Sequence, residues 1–496
     1  MPSEVFRKHP AHFADPSPDI LRTKIVCTIG PASCSKEMLT SLVKLGMNIA
    51  RLNLSHCTHE FCDLVINNLR EITAEEGNGM AGTEVAVWID LNGPKVRSGR
   101  LRDGKPVFLN AGDEFLFVND DVLGDQKQIS TSYPGQLVNV GDRIYVDDGI
   151  LSFEVLERLP TGVRTRVCNS GTLGENKGIN FPQHSVDDLP AISAKDRTDL
   201  QYAIKAGVDF VSVSCIRNIE DVEEARLLLG NSRTKLLAKI ENQHGLDNYA
   251  SILKMAYGIV IDRGYLGAEV DVEVVTMAQK RMISEANLAG KPVMIANQML
   301  ESMRTNPRPA RSEAADVANA VMDGVDGLIL SGETAIGDFV LEAVTVARRV
   351  AYTAERNTNY LDHQTRIMRS IPKPVNVSES IASSAVLCAR QVNAKVIVCI
   401  TEVGGTARLV AKYRPMIPVV AATLDKQTAR QLSLNFGLVP FHHEGNPDDV
   451  VDAALKYACS LGLCQSGDVA VITSGQVVGF LEGTTTKMQL VNVPEF

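Results

Sequence analysis

Short apolar segments rich in β-branched residues alternate with longer amphipathic segments along the first two thirds of the chain. Most apolar segments are followed by a stretch of helical periodicity, such as SKEMLTSLVKLG or VEVVTMAQKRMISEANLAG. Several predicted helices end on a glycine just before the next strand, namely at Gly46, Gly207, Gly290 and Gly324. The predicted strands are KIVCTIG, MNIARLNLS, EVAVWIDL, VDFVSVS, TKLLAKIEN, GIVIDRG, KPVMIANQ and DGLILSGE. Eight such β-α units favour a parallel (β/α)8 (TIM) barrel, with an open doubly wound sheet as the alternative.

Two regions depart from this rhythm. After the third predicted strand, helical periodicity gives way to short alternating runs with turn signals, as in VFLNAGDEFLFV and GDRIYVDDGILSFEVLE, which predict an inserted all-β lid domain over the barrel mouth. After residue 356, a polar stretch precedes a second α/β pattern, with the strands AKVIVCI, IPVVAAT, LVPFHH and DVAVITS. The predicted division is an N-terminal arm (1–20), the barrel (21–92 and 189–356), the lid (93–188) and a C-terminal α/β domain (357–496).

Composition narrows the class of protein. Of 496 residues, 45% are apolar and 22% charged, as in an ordinary globular chain. The net charge of −9 is dispersed, so no basic footprint for nucleic acid is visible, and no apolar run reaches the ~18 residues of a membrane span. Cys57 and Cys62 are five apart, as are Cys459 and Cys464; metal binding by either pair and buried thiols in a reducing compartment are the two interpretations. With no secretory signal at the N-terminus, a cytoplasmic location is predicted.

Polar residues gather where the predicted barrel strands end, which is where such barrels place their chemistry. They are Arg51, Asn53, Ser55, His56, Asp90, Ser214, Lys239, Glu241, Arg263, Asn297, Gln298, Ser331 and Glu333. Lys239 and Glu241 lie two apart on one strand and face the same side. An ammonium beside a carboxylate, with Arg51 at the same mouth, favours an anionic phosphate substrate bound together with a divalent cation. The alternatives are a solvated rim of unrelated polar residues and a surface ion pair.

Five motifs together resemble the signature segments of the pyruvate kinase family. They are RLNLSH (51–56), KIEN (239–242), QMLESM (298–303), DVANAV (316–321) and LSGETA (330–335). Their order and spacing match, and the resemblance covers about residues 20–496. It implies the glycolytic transfer of a phosphoryl group from phosphoenolpyruvate to ADP, with Mg²⁺, followed by protonation of the enolate to pyruvate. It also implies a regulatory C-terminal domain and a homotetramer.

The resemblance assigns a role to each matching position. Lys239 would stabilise the charge on the transferring phosphoryl group, Arg51 would contact the phosphate, and Glu241 would be one of two carboxylates holding Mg²⁺. The remaining substrate-binding positions are Ser214, Gly264, Tyr265 and Asn297, and the nucleotide-binding positions are Asn53, His56, Arg97 and Lys177.

Some departures from the family pattern affect positions that the resemblance assigns to catalysis. Gly264-Tyr265-Leu266-Gly267 replaces G-D-L-G, so the second magnesium carboxylate is missing, and a phenol is a poor ligand for a hard cation. Asp262 falls where the family usually has alanine, and would either supply the missing carboxylate or repel an anionic substrate. Asn297 replaces a threonine of the enolate-protonating network, and an amide cannot relay a proton as a hydroxyl does.

Two more departures concern ions and effectors. Asp90-Leu91-Asn92-Gly93-Pro94-Lys95 replaces D-T-K-G-P-E and resembles the potassium-independent branch, in which Lys95 would replace the monovalent cation near Asn53, Ser55, Asp90 and Leu91. Drift in a decaying site is the alternative. The sugar-phosphate effector site of the family resembles Thr401, Gly404, Gly405 and Thr406, but Val403 and Gly405 remove two side-chain donors, so a neutral loop is equally consistent.

Three functions follow from these patterns. The first is the family's reaction, with impaired or altered catalysis and no need for potassium. The second is a weak or inactive relative that binds ligand or regulates an active partner in a mixed oligomer. The third is another enzyme of phosphoenolpyruvate or an α-keto acid, such as one that forms an enolate by decarboxylation.

Overall fold

The computed structural model describes residues 20–74, 83–131, 138–147, 149–182, 189–475 and 485–496. The predicted N-terminal arm, apart from Ile20, lies outside the described residues. No helix in the described ranges is long and apolar enough to cross a membrane.

Eight parallel strands in the described part of the chain close into a barrel, which confirms the predicted fold class and excludes the open sheet. In order around the barrel they are β1 (Lys24–Thr28), β2 (Ile49–Asn53), β3 (Ala86–Asp90), β12 (Phe210–Val213), β13 (Lys235–Ile240), β14 (Gly258–Asp262), β15 (Val293–Ala296) and β16 (Gly327–Leu330). Side chains such as Val26, Trp88 and Phe210 fill the interior, while their neighbours in sequence pack against the outer helices. Both faces of each strand are therefore buried, which explains the nearly continuous apolar runs.

Helices surround the barrel strands. They are α1 (Lys36–Lys44), α2 (His59–Ala74), α3 (Ala194–Lys205), α4 (Ile219–Leu229), α5 (Gln243–Asp247), α6 (Tyr249–Met255), α7 (Arg263–Glu269), α8 (Val272–Ala289), α9 (Arg311–Asp323), α10 (Gly332–Ala335) and α11 (Val340–Asn357), with a 3-10 turn at Glu301–Arg304. Gly290 and Gly324 cap α8 and α9 in the left-handed conformation, with φ of 69° and 103°. A residue with a Cβ is disfavoured there, so the glycines fix where these helices end.

The insertion after β3 contains strands and no helix within its described residues. The strands are β4 (Val107–Leu109), β5 (Glu114–Val118), β6 (Gln128–Ser130), β7 (Arg143–Val146), β8 (Leu151–Leu159), β9 (Gly162–Val167), β10 (Gly171–Leu173) and β11 (Ile179–Asn180). Phe115, Phe117 and Phe153 form its aromatic core, with ring centroids 5.0–5.5 Å apart. Residues 132–137, 148 and 183–188 of the predicted lid lie outside the described residues.

The C-terminal region is a five-stranded sheet, within the described ranges, flanked by helices. Its strands are β17 (Val396–Ile400), β18 (Val419–Thr423), β19 (Leu438–His442), β20 (Val469–Gly475) and the antiparallel β21 (Thr485–Asn492). Its helices are α12 (Tyr360–Ser370), α13 (Val377–Gln391), α14 (Gly405–Lys412), α15 (Lys426–Leu432) and α16 (Val450–Ser460), with a 3-10 turn at Pro447–Asp449. Strand β21 was not predicted from the sequence, and α12 lies in the stretch that was interpreted as polar. In fact α12 buries Tyr360, Gln364 and Ile367 on one face.

The chain enters the insertion through a tight turn at Gly93. Its φ is +70°, and a Cβ there would lie 2.7 Å from the Ser214 Cβ. The Gly93 amide donates to Asp196 at 3.1 Å. Glycine is therefore required at this position, which brings the next residues, including Lys95, to the barrel mouth.

Candidate active site

Lys239 lies at the centre of a buried charge cluster at the carboxyl end of the barrel. Among the described residues, its Nζ lies 2.9 Å from Glu241, 3.2 Å from Asp262 and 3.3 Å from Asp90. The residue is 2% exposed. Burial alone would lower the pKa of Lys239, but the three carboxylates raise it well above its usual value. Lys239 is therefore a permanent cation within the barrel mouth.

Arg51 forms the second fixed cation of the cluster. Its Nε and Nη2 donate to one oxygen of Asp90 at 3.0 and 2.5 Å, and its Nη1 donates to Thr28 at 2.8 Å. The other Asp90 oxygen accepts from the Ser212 hydroxyl at 2.5 Å. Burial would raise the pKa of Asp90, but Lys239 and Arg51 outweigh it and hold this pKa below its usual value. Asp90 therefore stays ionised and orients both cations.

Glu241 is fully enclosed by donors. One oxygen accepts from Lys239 at 2.9 Å and from Lys95 at 3.0 Å. The other accepts from the Cys215 amide at 2.6 Å and from the Cys215 thiol at 3.1 Å. Burial opposes ionisation of Glu241, but Lys239 and Lys95 hold its pKa well below its usual value. Burial and the nearby Glu241 raise the pKa of Cys215 well above its usual value, so Cys215 is a neutral thiol donor.

Tyr265 and Lys95 pack against each other beside Glu241. Lys95 Nζ lies 3.5 Å from the centroid of the Tyr265 ring, a close cation–π contact. The Lys95 side chain is 6% exposed. The phenol end of Tyr265 faces the insertion, since a Cβ on Gly178 would lie 3.1 Å from the phenol oxygen. The position that replaces the family's aspartate is thus occupied by an aromatic ring covering an ammonium.

Asp262 links Glu241 to the end of β15. The Asn297 amide donates to Asp262 at 2.5 Å, and the Ser331 hydroxyl donates to the Asn297 carbonyl oxygen at 2.8 Å. Burial, offset in part by Lys239 and reinforced by the charge and hydrogen bond of Glu241, raises the pKa of Asp262 to about 6. Asn297 has φ of +68°, a left-handed conformation that asparagine tolerates better than most residues. The chain from Ser331 through Asn297 to Asp262 is continuous.

His56, one of the predicted nucleotide-binding residues, lies close to several positive charges. Partial burial, and then the positive charges of Arg97, Arg51, Lys95 and Lys177, lower the pKa of His56. Lys177 pairs with Asp147 of the insertion at 2.9 Å. The imidazole is therefore neutral at pH 7 in a strongly positive environment, which suits an anionic ligand.

The placement of Lys95 differs from the sequence-based prediction. Its ammonium contacts Glu241 and Tyr265 rather than Asn53 and Ser55, because Glu241 is the buried carboxylate within reach. Ser55 instead donates to Asn92 at 2.7 Å. The remaining position of the predicted cation site, Leu91, is buried in the apolar core. The charge of Lys95 still contributes to lowering the pKa of Asp90.

Comparisons with known proteins match this architecture along nearly the whole chain. Residues 20–344 match the family model "Pyruvate kinase, barrel domain", and residues 379–491 match "Pyruvate kinase, alpha/beta domain". The chain is 41% identical to the pyruvate kinase of Dictyostelium discoideum, covering 97% of this chain and 96% of that one. The chain belongs to the pyruvate kinase family. It is also 40% identical to the cytosolic isozyme of pyruvate kinase from Glycine max, covering 91% and 93%. A crystal structure of a pyruvate kinase from Cryptosporidium parvum superimposes with a TM-score of 0.86 at 40% identity, covering 96% of each chain.

Pyruvate kinases generally use Mg²⁺ and K⁺. The donors around Glu241 do not fit the divalent ion in the family's arrangement. A carboxylate offers about four lone-pair positions, and those of Glu241 face two ammonium groups and both donors of Cys215. No group of three or more His, Cys, Asp and Glu side chains that could hold a metal occurs among the described residues. Asp262 adds one carboxylate, but it is bound to Lys239 and Asn297.

Several residues of the site were not identified from the sequence. Thr28 and Ser212 orient Arg51 and Asp90, and Cys215 holds Glu241. Asn180 of β11 donates to Glu269 of α7 at 2.8 Å and joins the insertion to the barrel. Strand parity could have revealed Ser212, which shares a face with Ser214. A lone cysteine following a strand carries no comparable signal.

Two other sites that were singled out in the sequence, Glu333 and the predicted effector loop, have defined hydrogen-bond partners. Glu333 accepts from the amides of Leu300 and Ser331 at 2.9 and 2.7 Å, so it holds these two loop positions together. In the predicted effector loop, the Thr406 hydroxyl is hydrogen-bonded to that of Thr485, and Arg408 donates to the Val403 carbonyl at 3.0 Å. Gly404, with φ of +84°, precedes α14, and Thr401 is 7% exposed. Thr406 and the Val403 carbonyl of this loop therefore already have hydrogen-bond partners within the protein.

Proposed function

We propose that the chain transfers the phosphoryl group of phosphoenolpyruvate to ADP, giving pyruvate and ATP, with altered catalysis. The observation that supports this most strongly is the joint burial of Lys239 and Arg51 around Asp90 at the barrel mouth. Two cations fixed 2.5–3.3 Å from one buried carboxylate are preorganised for an anion. The family resemblance assigns contact with the phosphoryl group to these two positions.

In this mechanism Lys239 stabilises the negative charge on the transferring phosphoryl group, and Arg51 contacts the phosphate of phosphoenolpyruvate. His56, Arg97, Lys177 and Asn53 bind the nucleotide. The enolate left by transfer is protonated near Asn297, where the Ser331 hydroxyl is the neighbouring proton-bearing group. The lid (93–188) closes over the barrel parts 21–92 and 189–356 and excludes water, since Asn180 and Gly178 already contact the barrel.

The altered element is the divalent site. Glu241 and Asp262 are the candidate ligands, but two ammonium groups compete for Glu241. The protein-bound Mg²⁺ site is therefore weakened, whereas a divalent ion carried by the nucleotide itself is unaffected. Turnover is reduced more than substrate binding, because the anion-binding cations remain.

A coupled assay tests this proposal. Purified protein with phosphoenolpyruvate, ADP and Mg²⁺ should form pyruvate and ATP in equal amounts. Formation of pyruvate without ATP would instead favour phosphate hydrolysis or another reaction of the enolate. Absence of both products, with phosphoenolpyruvate still bound, would favour a second candidate: a binding or regulatory relative acting on an active partner. The observation behind that candidate is the pairing of Lys95 with the metal-ligand position Glu241.

The activity should not need potassium, because Leu91 supplies no side-chain oxygen and the charge of Lys95 already acts on Asp90. Turnover in buffer free of sodium and potassium should change by less than about twofold when potassium is added, within a general salt effect. Tetramethylammonium at the same ionic strength is the control. Strong activation by potassium alone would contradict this prediction.

Activation by a sugar bisphosphate should be weak or absent. Val403 and Gly405 offer no side-chain donor, and Thr406 is already bonded to Thr485. Calorimetry with a sugar bisphosphate should show no binding in the micromolar range. Micromolar binding that is lost in the Thr401→Ala/Thr406→Ala variant would show that the loop is an effector site after all.

We also propose that the protein is cytoplasmic and assembles as a homotetramer, as the family resemblance implies. The similarity to a cytosolic isozyme from Glycine max supports the cytoplasmic location.

A further inference from the structure

The substitutions at positions 95 and 265 meet at a single carboxylate. Relative to the family pattern, one acid has become Lys95 and another has become Tyr265. In the structure the new ammonium lies 3.0 Å from Glu241 and 3.5 Å from the centroid of the new ring. An ammonium over the face of an aromatic ring is attracted by the quadrupole of the ring. The pair therefore forms one structural unit.

The surroundings make this ammonium a fixed charge. The Lys95 side chain is 6% exposed, and the Glu241 side chain that it contacts is fully buried. Gly178 of the insertion packs against the Tyr265 phenol, and a Cβ there would lie 3.1 Å from the phenol oxygen, so a larger residue would require Tyr265 to shift. An aspartate at position 265 would offer a second carboxylate, but a neutral aromatic face instead stabilises a cation without needing a metal.

We propose that the Lys95 ammonium, seated between Glu241 and the Tyr265 ring, takes the place of the protein-bound divalent cation and provides its positive charge toward phosphoenolpyruvate. This inference rests on the proposed function and specifies its cation requirement. Lys95 acts as a built-in cation, and Tyr265 is the positioning residue that holds it. The consequence is that phosphoenolpyruvate binds without any divalent metal.

The first test measures metal binding directly. Nucleotide-free protein, stripped with a chelator, is titrated with Mn²⁺ and the free ion is followed by electron paramagnetic resonance. The Lys95→Glu/Tyr265→Asp variant restores the acidic residues and should bind Mn²⁺ at least about tenfold more tightly than the unmodified chain. Lys280→Met, which removes a surface lysine on α8 that pairs with Asp323, is the control. Equal and tight Mn²⁺ binding by the unmodified chain would overturn the proposal.

The second test measures phosphoenolpyruvate binding by calorimetry in excess chelator. The unmodified chain should bind, Lys95→Met should bind at least about tenfold less tightly, and Tyr265→Phe, which keeps the ring, should bind better than Tyr265→Leu. Thermal unfolding of each variant confirms folding. Binding that needs added metal, or that is unchanged in Lys95→Met, would refute the inference. Neither test requires turnover, so a failure of this inference can be distinguished from a failure of the proposed reaction. If phosphoenolpyruvate does not bind under any condition, the Mn²⁺ titration still decides the role of Lys95.

Discussion

Replacing Lys239 with methionine should lower the rate of pyruvate formation by a factor of about 10³, the size expected when a preorganised stabiliser of transition-state charge is removed. Its ammonium lies within 3.3 Å of Asp90, Glu241 and Asp262 and remains charged there. Methionine has nearly the same length but carries no charge. The measurement is the steady-state rate of pyruvate formation at saturating phosphoenolpyruvate and ADP.

The same change removes one cation from a group of buried carboxylates. Removing one partner of a buried ion pair costs about 3–5 kcal/mol of folding stability. Lys239→Met/Asp262→Asn removes one charge of each sign and should recover most of that stability while staying inactive. Lys280→Met on α8 is the surface control. If Lys239→Met retains a tenth or more of the rate, the central role of Lys239 is wrong.

Restoring the family's acids should increase turnover. With saturating Mg²⁺, Lys95→Glu/Tyr265→Asp should raise the rate by about tenfold or more, because a divalent ion then replaces a single positive charge close to the phosphoryl group. Tyr265→Asp alone should give a smaller gain, since the Lys95 ammonium would still occupy one Glu241 oxygen. The test is the rate of each variant as a function of Mg²⁺ concentration.

Adding Asn297→Thr to the double variant tests the other departure. A hydroxyl could relay the proton to the enolate, but a β-branched residue must then adopt the left-handed conformation with φ near 68°. Turnover is therefore expected to rise further only if the network tolerates this strained backbone, which costs about 1–3 kcal/mol of stability.

A Lys95→Glu/Tyr265→Asp variant that is slower than the unmodified chain at every Mg²⁺ concentration would contradict the argument that a restored metal site increases turnover.

The barrel could be predicted because local signals agree with it. Strands buried on both faces read as apolar runs, and Gly290 and Gly324 end their helices where a left-handed residue is needed. Strand β21 carries mostly exposed side chains, so the contrast between apolar and polar positions along it is weak. Helix α12 was missed because it buries the polar Gln364 together with Tyr360.

The charge cluster could be predicted only in part. Lys239 and Glu241 share a strand face, so their proximity follows from periodicity. The position of Lys95 does not follow from periodicity. Its long side chain could reach several carboxylates, and the choice depends on how Gly93 turns the chain and on where Tyr265 lies. The hydrogen bond between Asn297 and Asp262 joins two strands and depends on the left-handed backbone at Asn297, which the sequence does not reveal.

We expect the protein to bind phosphoenolpyruvate but to transfer its phosphoryl group slowly. The decisive measurement is the turnover number of the unmodified chain at saturating phosphoenolpyruvate, ADP and Mg²⁺, taken together with its affinity for phosphoenolpyruvate. We expect binding to persist while turnover stays well below the ~10 per second of a typical enzyme. Turnover at or above about ten per second, dependent on Mg²⁺ bound to the protein, would show that Glu241 and Asp262 hold the metal despite Lys95 and Tyr265.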